Sequence, residues 1–221
     1  MNTLLINGRP MQITKYGHCC LLVEIRGVRI LTDPGNFSTG QNEVKEIDCV
    51  VITHEHADHL HVESLKMVLK NNPSATVVCN ASVGKILEKE GIGFTKVSEG
   101  EKFSIKGVEI AGFGTKHATI YKEFGQVENT GYFFDDKLFY PGDAFTDPKR
   151  PVDILALPVA GSWMKLSEAI EYVLTLKPRI AFPVHDGILL NPTMMHRVPA
   201  LVFEQSGIKF VPLDIGKAVD F

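Results

Sequence analysis

The chain has 221 residues, of which 44% are hydrophobic and 22% charged, with a formal net charge of −3 and a mean hydropathy of +0.05. This composition is typical of an ordinary globular protein, and its slight acidity argues against a general binder of nucleic acids or anionic membranes. There is no N-terminal basic stretch followed by an apolar one, and no apolar run reaches the roughly 18 residues that span a bilayer. We therefore expect a cytoplasmic protein without a membrane-spanning segment.

The cysteines predict no disulfide framework. All four lie in apolar runs and none has Cys-x-x-Cys spacing: Cys19, Cys20, Cys49 and Cys79. A disulfide between the neighbours Cys19 and Cys20 would be strained. We expect buried free thiols in a reducing compartment.

Short apolar runs separated by turn signals predict a strand-rich first half with two helices. Strands are expected at 4–6, 11–16, 20–25, 28–32, 47–52, 75–79, 93–97, 101–105 and 108–113, and helices over 62–70 and 81–90. A turn is expected at Gly8-Arg9-Pro10. Residues 36–46 and 118–128 are polar or irregular and are expected to form loops.

The same signals predict a second half in which buried strands alternate with helices. Strands are expected at 130–134, 137–140, 154–157 and 179–182, an edge strand at 209–212, and helices over 165–176 and 193–204. No linker, low-complexity tract or fixed-period repeat interrupts this order. We therefore predict a single domain over residues 1–221, with sheets inside and helices outside.

The densest group of candidate metal ligands follows the apolar run 47–52, in Thr53-His54-Glu55-His56-Ala57-Asp58-His59-Leu60. Residues two apart in an extended segment point to the same side, so His54 and His56 can converge on one ion. A bend into the next helix would direct Asp58 and His59 at a second centre. Imidazole and carboxylate groups suit zinc, iron or manganese. The alternative is a chance cluster of solvated histidines on a loop.

Three later strands also end in a candidate ligand. His117 follows the strand 108–113, Asp143 follows 137–140, and His185 follows 179–182. If these strands share a direction, their ligands and those of the first cluster reach one rim of the sheet. Each residue alone is a weak signal, because a single histidine after a strand is more often a hydrogen-bonded surface or core residue. Jointly they predict a metal site.

This pattern, His54-x-His56-x-Asp58-His59 followed by His117, Asp143 and His185, resembles the metallo-β-lactamase superfamily. Four further segments resemble a small stand-alone branch of metal-dependent hydrolases that contains ascorbate-6-phosphate lactonase-like proteins: Tyr16-Gly17-His18-Cys19-Cys20, Thr32-Asp33-Pro34, Leu157-Pro158-Val159-Ala160-Gly161 and Pro183-Val184-His185. The resemblance implies an α+β fold, a four-layered αβ/βα sandwich with two mixed sheets packed inside and helices outside. It also implies a two-metal site at one edge.

The resemblance assigns each ligand a role. His54, His56 and His117 would bind a first metal, Asp58, His59 and His185 would bind a second, and Asp143 would bridge the two. Zinc is the expected metal, with manganese or iron as alternatives. Two such ions hold a bridging water, lower its pKa toward about 7 and so provide a hydroxide nucleophile at neutral pH.

Two departures from related patterns narrow the expected chemistry. Asp143 stands where zinc β-lactamases often carry a cysteine, so hydrolysis of antibiotics is not expected. His56 stands where the flavodiiron pattern carries an acid, which favours hydrolysis over oxygen chemistry.

Residues outside the ligand set have two interpretations each. Asp33 either orients a ligating histidine from behind or caps the turn before Pro34. His18, at a strand tip, either contacts substrate and transfers a proton or packs as a hydrogen-bonded histidine. Trp163 either walls the substrate pocket or is an ordinary buried aromatic. Four lysines are candidates for phosphate contacts, although solvated surface lysines are the default: Lys116, Lys122, Lys149 and Lys165. His61 and His196 are expected on helix surfaces with no role.

These expectations combine into one hypothesis, a metal-dependent hydrolase of a small ester, lactone or phosphodiester. The catalytic candidates are Asp58, Asp143 and His18. A non-hydrolytic metal protein, such as an iron oxygenase or a sensor, and a nuclease are the alternatives. The expected partner is a small-molecule substrate, with no nucleic acid and no membrane, and a homo-oligomer is left open.

Overall fold

The computed structural model describes residues 10–221. Within them the strands are β1 (Gln12–Gly17), β2 (Cys20–Ile25), β3 (Val28–Thr32), β4 (Cys49–Ile52), β5 (Thr76–Cys79), β6 (Thr95–Lys96), β7 (Lys102–Ile105), β8 (Val108–Phe113), β9 (Gly131–Phe134), β10 (Leu138–Tyr140), β11 (Ile154–Pro158), β12 (Ile180–Val184), β13 (Lys209–Phe210) and β14 (Ala218–Asp220). The helices are α1 (Val62–Asn71), α2 (Ala81–Lys89), α3 (Leu166–Leu176) and α4 (Thr193–Gln205). The strand predicted at 4–6 and the Gly8-Arg9 part of the predicted turn lie outside the described residues.

The first sheet has the order β14-β1-β2-β3-β4-β5-β6. Its first three pairings are antiparallel, and β3 to β6 run parallel. Every residue of the parallel strand Cys49–Ile52 is buried, which accounts for its continuous apolar sequence, because both faces of a parallel strand are covered.

The second sheet has the order β13-β12-β11-β10-β9-β8-β7. β8 and β10 are both antiparallel to β9, whereas β10, β11 and β12 are parallel to one another. The strands β8, β10 and β12 therefore run in the same direction. Because of this shared direction, the residues that follow these strands, His117, Asp143 and His185, can reach a common edge of the sheet.

Three apolar clusters define four layers. One lies between the sheets and combines residues such as Ile13 and Val23 of the first sheet with Ile110 and Phe182 of the second. Another packs α1 and α2 on the outer face of the first sheet, and the third packs α3 and α4 on the outer face of the second. This arrangement confirms the predicted αβ/βα sandwich.

Helix α2 also shows how the fold supports the histidine cluster. Asn80 caps its N-terminus, with the side-chain oxygen accepting a hydrogen bond of 3.1 Å from Val83 N. The amide nitrogen of the same side chain donates to the carbonyl of Thr53 at 2.9 Å. One capping residue thus starts the helix and fixes the backbone directly before His54.

Most predicted elements form, and the differences are at their ends. The strand expected at 93–97 is reduced to Thr95–Lys96, and the edge strand expected at 209–212 is limited to Lys209–Phe210. The short strand β14, which pairs with β1, is not predicted from the sequence. All four cysteines are buried and unpaired. None of the helices among the described residues is long and apolar enough to cross a membrane.

Candidate metal centre

The segments that directly follow β4, β8, β10 and β12 meet at one edge of the molecule. They bring together all seven predicted ligands: His54, His56, Asp58, His59, His117, Asp143 and His185. Nitrogen atoms of His54, His56 and His117 lie within 4.8 Å of one another. A second group, also within 4.8 Å, consists of a nitrogen of His54, a nitrogen of His59 and an oxygen of Asp143.

Asp143 lies between the two predicted halves of the site. Its Oδ1 atom is 3.1 Å from His59 Nε2, and its Oδ2 atom is 2.8 Å from His185 Nε2 and 3.3 Å from His117 Nε2. Asp58 lies on the side of His59 and His185, with its Oδ2 atom 3.8 Å and 3.5 Å from their Nε2 atoms. The two sets implied by the family resemblance thus lie on either side of Asp143, and His54 also lies close to His59, with their ring centroids 4.0 Å apart. Their roles as metal ligands stay a prediction.

Five of the candidate ligand atoms have no hydrogen-bond partner. The Nε2 atoms of His54, His59, His117 and His185 and the Oδ1 atom of Asp143 are buried without a hydrogen bond. Leaving a buried polar atom unsatisfied costs about 1–3 kcal/mol, so such atoms rarely gather by chance. Imidazole nitrogens and a carboxylate that converge in this way are a suitable donor set for divalent metal ions.

Hydrogen bonds behind the cluster fix which ring nitrogen faces inward. His117 Nδ1 donates to the carbonyl oxygen of Ala118 at 2.5 Å, and His59 Nδ1 donates to Asp33 Oδ2 at 2.7 Å. The Asp33 carboxylate also accepts from Thr53 N at 2.8 Å, from Thr53 Oγ1 at 2.7 Å and from Tyr140 OH at 2.5 Å. Asp33 thus faces His59, and these bonds present both Nε2 atoms to the centre.

Burial and the contacts between Asp143 and the histidines set the protonation of the cluster. Burial would raise the pKa of the Asp143 carboxyl, but His59 and His185 hold it well below its usual range. Burial would lower the pKa of His59, but Asp143 raises it well above the ordinary value. Burial lowers the pKa of His54, with a further contribution from His59. These shifts favour an ionised Asp143 and a neutral His54, whereas His59 holds a proton that a bound metal ion would displace.

His18 is buried behind Asp58 and does not line the cavity. Its Nδ1 atom accepts a hydrogen bond from Gly187 N at 3.2 Å, so its Nε2 atom carries the proton and donates to Asp58 Oδ2 at 3.1 Å. Burial lowers the pKa of His18, in keeping with a neutral ring. Burial opposes ionisation of Asp58, but the bond from His18 helps to bring the pKa of that carboxyl to about 2. This placement favours a positioning role for His18 over contact with substrate.

Strained backbone directs three of these side chains. His18, Asp33 and His185 have φ values of 38°, 37° and 62°, in the left-handed region that non-glycine residues seldom adopt. Each lies at the end of a strand, where the sharp turn aims its side chain at the cluster. Such strain is usual where the surrounding structure holds a functional group in place.

Gly35 is required where the turn after Asp33 packs on the metal-ligand loop, because an added Cβ would overlap the backbone carbonyl of Asp58. We predict that Gly35→Ala destabilises the protein by about 1–3 kcal/mol and weakens metal binding, since the loop carrying Asp58 must move. Gly93→Ala is the matched control, because a Cβ at Gly93 meets nothing within 4 Å. Urea denaturation and metal titration of both variants test the prediction, and equal behaviour would contradict it.

Trp163 lines the cavity and also contacts Asp143. Its Nε1 atom donates to Asp143 Oδ2 at 2.9 Å. A Cβ at Gly161, whose φ is +155°, would lie 2.7 Å from that Nε1 atom. The loop after β11 therefore needs a glycine to place the indole on the acid.

Replacing Trp163 by phenylalanine should reduce both metal affinity and kcat/KM by roughly 10–100-fold, the usual effect of losing an outer partner of a metal ligand. Phenylalanine keeps an aromatic ring in the cavity wall but is smaller than the indole and lacks the donor to Asp143. Tyr172→Phe is the matched control, because the Tyr172 hydroxyl donates to the carbonyl of Thr146 and not to the cluster. Calorimetric metal titration distinguishes the two, and a Trp163→Phe protein with unchanged affinity would refute the prediction.

Two supporting groups were missed by the sequence analysis. Asn129 accepts a hydrogen bond from Asp143 N at 3.0 Å and donates to the carbonyl of Pro141 at 2.9 Å, which fixes the turn that carries the acid. His196, expected to have no role, lies 2.9 Å from Asp186, which in turn pairs with the buried Lys15. No local sequence signal marks these contacts, since their partners are distant in the chain.

A cavity of about 460 Å³ opens onto the cluster. Its walls include His56, Asp58, Asp143, Trp163 and His185. The four lysines considered for phosphate contacts are exposed and do not line it. The volume is within the range of small-molecule sites.

Comparison with known proteins identifies the family to which the sequence is similar. The family described as "Beta-lactamase superfamily domain" matches residues 12–185. Protein Rv0786c of Mycobacterium tuberculosis is 36% identical over 184 residues, which cover 81% of this chain and 85% of that protein. A UPF0173 metal-dependent hydrolase of Thermoplasma acidophilum is 28% identical over 190 residues, which cover 79% of this chain and 83% of that protein.

Solved structures share the fold. Igni18, a metallo hydrolase from Ignicoccus hospitalis, superimposes with a TM-score of 0.77 at 23% sequence identity, covering 96% of this chain and 98% of that one. At this identity the likeness shows the fold alone.

Proposed function

The chain belongs to the metallo-β-lactamase superfamily, and on that basis we propose that it is a metal-dependent hydrolase that holds two divalent ions and cleaves a small ester, lactone or phosphodiester. The names of a relative and of a structural neighbour, a metal-dependent hydrolase and a metallo hydrolase, support this proposal. The observation that carries it is the convergence of unpartnered imidazole Nε2 atoms on the ionised Asp143.

We assign the ligands by their spatial grouping. His54, His56 and His117 would hold one ion, Asp58, His59 and His185 would hold the other, and the Asp143 carboxylate, which contacts His59, His117 and His185, would serve both. The negative charge of Asp143 offsets the repulsion between two cations. Zinc suits this nitrogen-rich set best, and manganese and iron are also compatible with it.

When bound, the two ions supply a water of lowered pKa and polarise the carbonyl or phosphoryl oxygen of the substrate. The chain's own residues orient the reactants. Asp58 faces the cavity with its side chain 20% exposed, and in its ionised form it can accept a hydrogen bond from the attacking water. His18 holds Asp58 in place from behind.

For an ester, the reaction adds the oxygen of water to the carbonyl carbon and breaks the bond from that carbon to the leaving oxygen. One proton passes from the water to the leaving oxygen, so that ester and water become acid and alcohol. A site of this kind lowers the barrier by placing both reactants and by stabilising the charge that develops on the carbonyl oxygen.

Hydrolysis by the metal-loaded protein tests the proposal. An ester, a lactone and a phosphodiester are each assayed before chelation, after chelation and after the metal is restored. We expect activity on at least one of them that disappears on chelation and returns with metal. His56→Ala should lose most of this activity, whereas His61→Ala, which removes a nearby histidine bonded to Ser64, should not.

Other outcomes would favour the alternatives. A metal-bound protein that hydrolyses none of the three substrates would contradict the proposal. Oxygen consumption by an iron-loaded protein would favour a non-hydrolytic iron enzyme. A steep salt dependence of nucleic-acid binding would favour a nuclease.

A further inference from the structure

Exposed apolar side chains concentrate on three loops, two of which contribute residues to the cavity wall. Ten large hydrophobic side chains are exposed among residues 10–221, and six of them lie on three loops. These six form what we call the apolar collar: Phe37, Ile120, Tyr121, Phe124, Ile188 and Leu190. Single exposed apolar residues are normal on a protein surface, but their concentration in one region indicates a binding site.

Two residues of the collar reach the cavity. Ile120 and Ile188 lie in the cavity wall together with Asp58 and His185. The ring of Phe37 lies 5.2 Å from the ring of His18, and His18 donates a hydrogen bond to Asp58 from behind the cavity wall. A molecule whose reacting group reaches the metal ligands would therefore extend its remaining part across apolar side chains.

The charges of the cavity wall also bear on the choice of substrate. Among the described residues that line it there is no lysine and no arginine, and the charged residues are Asp58 and Asp143 with their histidine neighbours. The exposed Lys149 is paired with Asp147 at 2.7 Å, and Lys122 lies over the ring of Tyr121. If two metal ions accept one anionic group of the substrate, a second anionic group would find no lysine or arginine among the described residues of the cavity wall.

From these observations we propose that the substrate is an uncharged carboxylic ester or lactone that carries an apolar chain or ring. This inference rests on the hydrolase function proposed above and narrows it. The lack of a lysine or arginine among the described residues of the cavity wall disfavours sugar phosphates and phosphorylated lactones. The apolar collar holds the substituent, and the carbonyl carbon lies at the metal ligands.

Binding of ketones, which are carbonyl compounds that cannot be hydrolysed, tests the inference separately from turnover. Trp163 is the single tryptophan and lines the cavity, so its fluorescence reports occupancy. The metal-loaded protein is titrated with 2-octanone, with the shorter 2-butanone, and with 7-oxooctanoate, in which a carboxylate replaces the terminal methyl group of 2-octanone. We expect 2-octanone to bind at least about tenfold more tightly than either of the others, because its methylene groups are buried without a charge.

Collar variants connect this preference to named residues. The double substitution Ile120→Ser and Ile188→Ser should reduce the preference for 2-octanone over 2-butanone severalfold. Leu201→Ser, which removes an exposed leucine of α4 outside the collar, should leave it unchanged. Equal affinities for the three ketones, as expected if a second copy of the chain covers the collar, or a preference for 7-oxooctanoate would overturn the inference.

Parallel assays with p-nitrophenyl hexanoate and p-nitrophenyl acetate separate this inference from the proposed function. Tight ketone binding without turnover of either ester would contradict the hydrolase and leave the apolar site standing. Turnover of both esters at equal efficiency, without a ketone preference, would contradict the apolar site and leave the hydrolase standing.

Discussion

Asp143→Asn is expected to reduce kcat/KM by roughly a thousandfold or more, which corresponds to about 4 kcal/mol of transition-state stabilisation. The substitution preserves shape but removes the negative charge that lies between the Nε2 atoms of His59, His117 and His185. Without that charge, the repulsion between two bound cations would not be offset, so the variant should also bind fewer metal ions. Steady-state kinetics combined with metal analysis measure both effects.

The matched control is Asp147→Asn. Asp147 follows Asp143 closely in the chain but forms its ion pair with the exposed Lys149. The control should retain its activity and its metal content. An Asp143→Asn protein that retains both would show that the acid does not join two metal ions.

Asp186→Asn is expected to destabilise the protein by about 3–5 kcal/mol, the usual effect of removing one partner of a buried ion pair. Lys15 is only 2% exposed, and its Nζ atom lies 2.5 Å from Asp186 Oδ1 and 3.0 Å from the carbonyl of Pro183. The substitution leaves the ammonium group buried without a counter-charge. Urea denaturation of the metal-free protein measures the loss.

Two further variants make this prediction specific. Lys15→Met removes the buried cation and leaves Asp186 bonded to His196, so it should be less harmful than Asp186→Asn. Asp153→Asn breaks an exposed pair with Arg179 and should change the free energy of unfolding by no more than about 1 kcal/mol. If Asp186→Asn were as mild as Asp153→Asn, the buried pair would not contribute as described.

The exact bounds of a strand could be predicted where turn residues mark its start. The strands Val28–Thr32 and Val108–Phe113 match their predicted bounds, because Arg26-Gly27 and Lys106-Gly107 precede them and punctuate the chain. The strand Ala218–Asp220 could not be predicted, because three residues have no periodicity of their own. It forms because β1 offers it a free edge.

The candidate site also has a part that could be predicted from the sequence and a part that could not. The cluster from His54 to His59 is contiguous and visible in the sequence, whereas His117, Asp143 and His185 form a set only through the shared direction of their strands and the family resemblance. Their roles as metal ligands stay predictions. The contacts of Asn129 and the pairing of Lys15 with Asp186 depend on tertiary packing between distant segments, and no local pattern encodes them.

The central claim is that four strand ends bring seven side chains together around two divalent ions. The most direct test is elemental analysis of the protein after loading with zinc, manganese or iron and removal of the free metal. The account predicts about two tightly bound ions per chain, as in other two-metal hydrolytic sites. A protein that retains one ion or none with all three metals would contradict it.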